Sequence, residues 1–410
     1  MDFYPILVII ILMSAVFSYV NHKWIRWPQT IGIMSISLIT SLLLVLFGRY
    51  SNISTVFKNQ IISLDFKDIL MKYMLGFLLF AGGFQIKAMD LKKNGLPILT
   101  LSTLGTILST FIIGFLTFFI FRYFTHSIPF IYCLLFGSLI SPTDPIAVLS
   151  ILKEQKIPYS LELKIAGESL FNDGVAVVLF TTIFQLSINP QKVFQPSEVL
   201  WLFVRQGLGG ILYGWIIGYI GYITIKSIDD YKVEILVTLA LVIAGYYFAG
   251  FLQVSGPLAM VVAGLITGGK TKNIGMSLKT KDYLTKFWEM INEIFNTILF
   301  LLIGLEMLVV KINGNILGIG LIMIIATLIA RWVSVAFPVF LLKPWKQFEK
   351  HSIKILTWSG LRGGLSVALA LSLPVSAYRD EFVAITYIIV VFSILVQGLT
   401  IGQMARVSLK

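Results

Sequence analysis

Long runs of apolar residues follow one another along the whole chain of 410 residues, and short polar stretches separate them. A helix needs about 17 to 25 apolar residues to cross a bilayer. By this criterion the pattern predicts an all-α integral membrane protein in which residues 1–410 form one membrane domain. The thirteen predicted spans, called segments 1 to 13 in chain order, are residues 3–20, 29–47, 69–86, 96–121, 128–150, 165–187, 198–225, 233–252, 255–269, 283–310, 315–342, 352–374 and 382–404.

The composition supports the membrane class. Apolar residues make up 57% of the chain and charged residues only 13%, whereas soluble domains have about 45–50% and about 25%. The net charge of +12 comes from basic residues spread over the short loops, so nucleic acid is not an expected partner. A single cysteine and the lack of a P-loop argue against a cysteine metal site, ATP or another cofactor.

The basic residues of the loops also predict the orientation. If the N-terminus lies outside, roughly three times as many lysines and arginines fall in inside loops as in outside loops. We therefore expect a multi-pass protein of the cell (inner) membrane whose C-terminus is cytoplasmic.

Two pairs of segments indicate an internal repeat. Segments 3 and 10 end on the similar phrases FLLFAGGFQI (77–86) and ILFLLIGLEM (298–307), and segments 5 and 12 are interrupted by SPTDP (141–145) and SGLRGG (359–364). Both pairs are seven segments apart, and this odd offset makes segments 1–6 and 8–13 run in opposite directions. Two inverted six-helix repeats with helices broken at matching positions are typical of secondary transporters.

The interruptions have chemical consequences. Pro142 and Pro145 remove two backbone donors from segment 5, and the glycines of SGLRGG loosen segment 12. Non-helical backbone at membrane depth is tolerated only where it is buried in protein or lines a cavity. We expect the freed carbonyls around these breaks to help bind a cation.

Ionisable residues within membrane spans are costly and mark functional sites by default. Glu289 and Glu293 form either the rim of a cytoplasmic funnel or an ordinary solvated helix start, and Glu306 is expected at the outer membrane interface. The full set within the predicted spans is Asp144, Glu168, Asp173, Glu289, Glu293, Glu306, Arg331 and Arg362.

Segment 6 contains two of these carboxylates, Glu168 and Asp173. They cannot both stay ionised at mid-depth without a cation, and two buried arginines, Arg331 and Arg362, are available as partners. The simplest assignment pairs Glu168 with one of them and leaves Asp173 to titrate. Static ion pairing remains open for each of these charges, and for Asp144 the static and functional interpretations are balanced.

Oxygen ligands suited to an alkali cation lie nearby in the sequence. Ser169 and Asp173 are four residues apart and share one helix face. Thr143, beside the break of segment 5, supplies a further hydroxyl. Hard alkali cations prefer such oxygen ligands.

Four stretches together resemble a known family. SPTDPIAVLSILK (141–153), GESLFNDGVAVVLF (167–180), ARW (330–332) and SGLRGGLSVALALSLP (359–374) are similar to the NhaP-type sodium/proton antiporters of the first monovalent cation:proton antiporter family. The resemblance implies a thirteen-helix homodimer. Segments 1–3 and 7–10 would form its dimerisation part, and segments 4–6 and 11–13 its ion-transporting core.

The resemblance also implies roles for individual residues. The aspartate of the pair Asn172-Asp173 would bind sodium (or lithium) or a proton in turn, and Asn at the first position resembles the electroneutral branch. The remaining implied roles are cation contact for Thr143, Asp144 and Ser169, a structural ion pair between Glu168 and Arg331, and a broken-helix position of open role for Arg362. One departure is the stretch 80–83, Phe-Ala-Gly-Gly, where some relatives carry an acidic residue.

Other functions remain open at this point. A transporter of the same fold could exchange K⁺ for H⁺ or carry an organic anion with sodium, and a cation channel would need no counter-ion. An intramembrane aspartyl protease could use Asp144 and Asp173, but their sequence context lacks the Gly-Asp of that class. The carboxylates at the broken helices favour a cation transporter over an anion carrier or an enzyme.

Overall fold

The structure is a computed structural model, and it describes residues 3–47, 66–86, 88–155, 157–188, 195–274, 278–346, 348–374, 376 and 378–409. Across these ranges the chain is all-helical and contains no strand. The helices are α1 (Phe3–Val20), α2 (Gln29–Phe47), α3 (66–85), α4 (88–124), α5 (Phe130–Ile140), α6 (Ile146–Glu154), α7 (Tyr159–Ile188), α8 (Pro196–Lys226), α9 (Tyr231–Leu252), α10 (Gly256–Ile274), α11 (Leu278–Glu306), α12 (Gly314–Leu342), α13 (Ser352–Trp358), α14 (Gly364–Leu371) and α15 (379–409).

Within the described ranges, nine helices are long and apolar enough to cross a membrane. Each of the thirteen predicted segments overlaps helix in the structure, and segments 5 and 12 coincide with the pairs α5–α6 and α13–α14. A helix of 11 residues such as α5 is only about 16 Å long. It needs a continuation to match a hydrocarbon core of about 30 Å.

The helices pack in two groups. In the first, α3, α8, α9, α10 and α11 contact one another, and glycines allow a close approach: Gly214 and Gly218 of α8 lie against the backbone of Ala259 and Ala263 of α10. Small residues at such interfaces are typical of helices packed within membranes. In the second group, α4, α5, α7, α12 and α15 contact one another.

The outer surface of the helices is rich in large apolar side chains. Leu12, Trp201 and Phe340 are 62%, 63% and 62% exposed. Such a surface is unfavourable in water and favourable against lipid. Together with the nine long apolar helices, it makes this chain an integral membrane protein.

Candidate functional site

The two breaks in the helices meet inside the second packing group. Residues 141–145 separate α5 from α6, and residues 359–363 separate α13 from α14. The backbone N–H of Asp144 donates a hydrogen bond of 2.8 Å to the carbonyl of Leu361. The unwound segments therefore satisfy each other's backbone groups at the point where they cross, which we call the crossing.

Arg362 joins the same two segments through its side chain. Its Nη1 donates to the carbonyl oxygens of Ser141 and Pro142 at 2.5 and 3.0 Å, and its backbone N–H donates to Ser393 Oγ at 2.8 Å. The side chain is buried. The expectation that the freed carbonyls of segment 5 bind a transported cation is therefore corrected for these two, because a guanidinium already occupies them.

Helix α7 attaches to the crossing through three uncharged side chains. Asn172 Nδ2 donates to Thr143 Oγ1 at 2.8 Å, and Thr143 N–H donates to Asn172 Oδ1 at 3.3 Å. The hydroxyls of Thr143 and Ser169 lie 3.0 Å apart, and Ser169 Oγ also donates to the Thr143 carbonyl. All three residues are buried, so α7 and the break of segment 5 form one connected unit.

Asp173 and Asp144 both line a cavity of about 430 Å³ beside the crossing. One oxygen of Asp144 accepts a hydrogen bond of 2.9 Å from the backbone N–H of Ile146. Among the described residues, the Asp173 carboxylate has neither a hydrogen-bond donor nor a basic partner. Two carboxylates in one cavity repel each other, so they favour uptake of a cation or a proton.

The cavity reaches the C-terminal end of α6 and the N-terminal end of α7, and residues of α11 also line it. Its lining runs from Asp173 past Glu162 and Glu289 to Tyr159, which is 54% exposed. These are the helix ends that the loop charges predict to be cytoplasmic. Of the two interpretations left open for Glu289, the cavity lining favours the funnel rim, whereas Glu293 lines a different crevice beside α1.

The structure brings Glu168 and Arg331 into direct contact. Arg331 Nη1 donates to Glu168 Oε1 in an ion pair whose side chains are only 7% and 2% exposed, and Arg331 Nη2 donates to the Leu356 carbonyl at 3.1 Å. Of the two arginines available to Glu168, Arg331 is the one in contact, and it ties α7 to α12 and α13. Glu306, expected near the outer interface, is covered by other helices and is only 6% exposed.

Sequence reasoning missed the steric role of Gly363. A Cβ at this position would collide with the Asp144 carboxylate, so the missing side chain gives that carboxylate its room. The signal was present as the second glycine of SGLRGG, which the sequence analysis interpreted only as a loosening of segment 12. Thr110 was also missed, and its hydroxyl lies 2.9 Å from that of Ser141.

We expect Gly363→Ala to slow cation-dependent proton exchange by about tenfold or more, because a displacement of about 1 Å at a reacting group is enough for that. The added methyl would push the Asp144 carboxylate out of its position. Gly318→Ala on α12 is the control, since a methyl there meets nothing within 4 Å. Equal exchange rates for the two variants in vesicles would contradict this role of Gly363.

The chain is similar to known transport proteins over nearly its whole length. The family description "sodium/hydrogen exchanger, transmembrane" matches residues 9–407. The Na(+)/H(+) antiporter NhaP of Pseudomonas aeruginosa is 43% identical over 405 residues, which are 97% of this chain and 95% of that protein. This chain belongs to the sodium/hydrogen exchanger family. The Na(+)/H(+) antiporter NhaH of Halobacillus dabanensis is 33% identical over 409 residues, covering 97% of this chain and 96% of that protein.

A solved antiporter structure has the same fold. The sodium proton antiporter MjNhaP1 from Methanocaldococcus jannaschii at pH 8 superposes with a TM-score of 0.76, at 16% identity, and the match covers 100% of both chains. The all-helical architecture is therefore that of this antiporter over the whole length.

The departure at segment 3 has a packing explanation within this family fold. A Cβ on Gly83 would lie 2.5 Å from the Val261 carbonyl of α10, so this stretch of α3 has no room for a larger residue there. The neighbouring Gly82 lines the cavity that contains Asp173. The stretch where some members carry an acid is here a close helix contact.

A second ion pair ties α7 to the loop between α12 and α13. Lys164 Nζ lies 2.8 and 3.1 Å from the two carboxylate oxygens of Glu349, and Ser160 also donates to that carboxylate. Lys164 is buried at 2% exposure. Burial raises the pKa of Glu349, but hydrogen bonds from Lys164 and Ser160 outweigh it, so the pKa lies below its ordinary value of 4.5.

We expect Glu349→Gln to lower the unfolding temperature at about pH 7, and we expect this effect to shrink as the pH falls below about 4.5. Because the folded-state pKa lies below the unfolded value, this stabilisation is fully present above pH 4.5 and is lost as the pH falls through the folded pKa. Thermal unfolding of the purified wild type and variant at about pH 7 and about pH 3 measures how this stabilisation changes with pH. Glu293→Gln, at an exposed position of α11, is the control. If Glu349→Gln lowers the unfolding temperature by the same amount at both pH values, the ion-pair account is contradicted.

Proposed function

We propose that this chain is a secondary active antiporter that exchanges Na⁺ (or Li⁺) for H⁺ by competition at Asp173. The observation that carries the proposal is the Asp173 carboxylate, which has no partner among the described residues and shares a cavity with Asp144 beside two crossed helix breaks. The full-length match to the sodium/hydrogen exchanger family and the antiporters among its relatives support the same function. A transporter of this kind is not an enzyme.

The oxygen atoms around the cavity suit an alkali cation. The carboxylates of Asp173 and Asp144 supply charge, and the hydroxyls of Thr143 and Ser169 supply neutral ligands. Asn172 positions this set through its two hydrogen bonds to Thr143. Protonation of Asp173 removes the charge that attracts the cation, and the two ligands therefore compete.

This competition couples the two fluxes. Moving a bare carboxylate through the low-dielectric barrier is costly, so the site changes sides only when a proton or a cation neutralises Asp173. With Asn172 as a neutral amide beside it, each cycle moves one cation against one proton. The exchange is then electroneutral.

The membrane arrangement is part of the same proposal. Thirteen spans with inverted repeats in segments 1–6 and 8–13 put the N-terminus outside and the C-terminus in the cytoplasm of a cell (inner) membrane. The two packing groups of helices agree with a division into a dimerisation part (segments 1–3 and 7–10) and an ion-transporting core (segments 4–6 and 11–13). We infer a homodimer formed through the first part.

Flux measurements on purified protein in proteoliposomes test the proposal. An outward sodium gradient should acidify the interior of the vesicles, and clamping the membrane potential at zero should leave the rate unchanged. Replacing sodium by lithium or potassium ranks the carried ions, and a preference for potassium would make this a K⁺/H⁺ antiporter. Proton-independent sodium flux would instead indicate a channel and overturn the proposal.

A further inference from the structure

A large groove lies on the membrane-facing side of α12, α13 and α15, away from the Asp173 cavity. It has a volume of about 1270 Å³. Its walls include Trp332 and Phe340 of α12 and Val407 of α15, which are 55%, 62% and 73% exposed. The proposed exchange leaves this groove without a role.

One end of the groove is basic. Lys343, Lys346 and Lys354 line it, and none of them has a carboxylate within salt-bridge distance in the described part of the chain. Glu349 also lines this end, but its carboxylate forms an ion pair with Lys164. Lys346 Nζ donates to the Lys93 carbonyl at 3.5 Å, so within the described part of the chain the basic end has an excess positive charge without a carboxylate partner of its own.

The rest of the groove is apolar and follows the helix axes. Trp332 precedes Lys343 by eleven residues on α12, which is about 16 Å at 1.5 Å per residue. Half of a hydrocarbon core is about 15 Å thick. The groove thus extends from the depth of the basic residues to about the bilayer midplane, which is the length of one acyl chain in one leaflet.

One face of helix α15 forms the opposite wall of the groove. Its groove residues are Thr400, Gln403, Met404 and Val407, spaced as neighbours on one side of a helix. Trp345, 70% exposed in the loop beside the basic end, is a residue type enriched at membrane–water interfaces. Interfacial tryptophan, unpaired lysines and an apolar channel one leaflet deep occur together here.

We propose that this groove binds one anionic phospholipid of the inner leaflet, with its phosphate at Lys343 and Lys354 and an acyl chain along α12 and α15. A free phosphate ion would use only the basic end and would leave the apolar walls uncovered. A zwitterionic lipid would add a cationic headgroup to the unpaired lysines, which repel it. The charge and the shape together select an anionic lipid.

The site lies directly behind the Glu168–Arg331 pair. Trp332 follows Arg331 on α12, and Leu356, whose carbonyl accepts from Arg331, belongs to α13. A lipid in the groove contacts both helices and braces their packing. Lipid binding should therefore raise the unfolding temperature of the protein.

Native mass spectrometry and thermal unfolding of the full-length protein in neutral detergent test the proposal. The probes are phosphatidylglycerol, phosphatidylcholine with the same acyl chains, and inorganic phosphate. We expect phosphatidylglycerol to bind to wild type and to raise its unfolding temperature, with the other two much weaker. Equal binding of phosphatidylcholine, or the same shift from phosphate alone, would overturn the assignment.

A pair of charge-matched variants locates the site. Lys343→Gln/Lys354→Gln should weaken phosphatidylglycerol binding by about tenfold or more, since each lysine near a membrane surface contributes about 1 kcal/mol. Lys226→Gln/Lys232→Gln removes the same charge at exposed positions of α8 and α9 and should leave binding unchanged. Equal loss in both variants would mean non-specific attraction, and no loss in the first would exclude the groove. If that variant does not fold, the lipid preference of wild type still decides between the three probes.

Discussion

Asp173→Asn is expected to abolish cation-dependent proton exchange while the protein remains folded. Asparagine has nearly the same size, but it can neither release a proton nor supply a negative charge to a cation. Asp173 has no hydrogen-bond partner among the described residues, so its replacement breaks no contact that stabilises the fold. We expect the exchange to fall to the background of empty vesicles and the unfolding temperature to stay within a few degrees of wild type, as for a substitution of at most about 0.5 kcal/mol.

The measurement is the dequenching of a pH-sensitive dye in everted vesicles after addition of each chloride salt. Asp282→Asn is the matched control, because this aspartate lies on α11 with a side chain 58% exposed and, among the described side chains, pairs with Lys286 alone. It should retain wild-type exchange. pH-dependent cation exchange that survives in Asp173→Asn would refute the assignment of Asp173.

Glu168→Ala is expected to have the second large effect, on folding rather than on transport. It leaves the Arg331 guanidinium buried without its carboxylate, and breaking a buried ion pair in this way costs about 3–5 kcal/mol. We expect a large loss of folded protein on detergent extraction and a lower unfolding temperature. Asp282→Ala removes one partner of the exposed pair with Lys286, and it should leave the unfolding temperature nearly unchanged because exposed ion pairs contribute little.

A double variant separates the stranded charge from lost packing. Glu168→Leu/Arg331→Leu removes both charges, and replacing a buried pair by apolar residues is often neutral or stabilising. It should therefore recover most of the folded protein that Glu168→Ala loses. If the double variant is no more stable than Glu168→Ala, the contribution of Arg331 lies in its bond to the Leu356 carbonyl rather than in the ion pair.

The sequence predicted the helical segments well because uninterrupted apolar runs have no other structure available at membrane depth. It also singled out the charged residues of α7 and the break of segment 5, because such residues are rare within apolar runs, and the structure places α7 beside that break. Span positions alone left the choice between Arg331 and Arg362 open, since helix periodicity does not say which of them faces Glu168. Only the family resemblance indicated Arg331. That choice depends on packing between segments more than 150 residues apart in the chain.

The contacts of Arg362 could not be predicted from the sequence for the same reason. Its partners, the Ser141 and Pro142 carbonyls, are more than 200 residues away in the chain, and no local pattern links them. Glu306 illustrates a different limit: its place near the end of a predicted span indicated the membrane interface, whereas other helices of the bundle cover it. Position along a span gives depth, but only packing gives burial.

The guanidinium of Arg362, held between the two helix breaks, also affects which ion charge the site accepts. The Glu168–Arg331 pair has no net charge. Arg362 offsets the charge of one of the two carboxylates at the crossing, Asp144 and Asp173. With both carboxylates ionised and no cation bound, the site therefore has a net charge of one negative unit. One proton or one alkali ion brings that sum to zero, whereas a divalent ion would leave it positive in a low-dielectric region where uncompensated charge is costly. By this charge count we expect the site to disfavour magnesium and calcium, and the discrimination comes from Arg362, whose guanidinium is bonded to the Ser141 and Pro142 carbonyls.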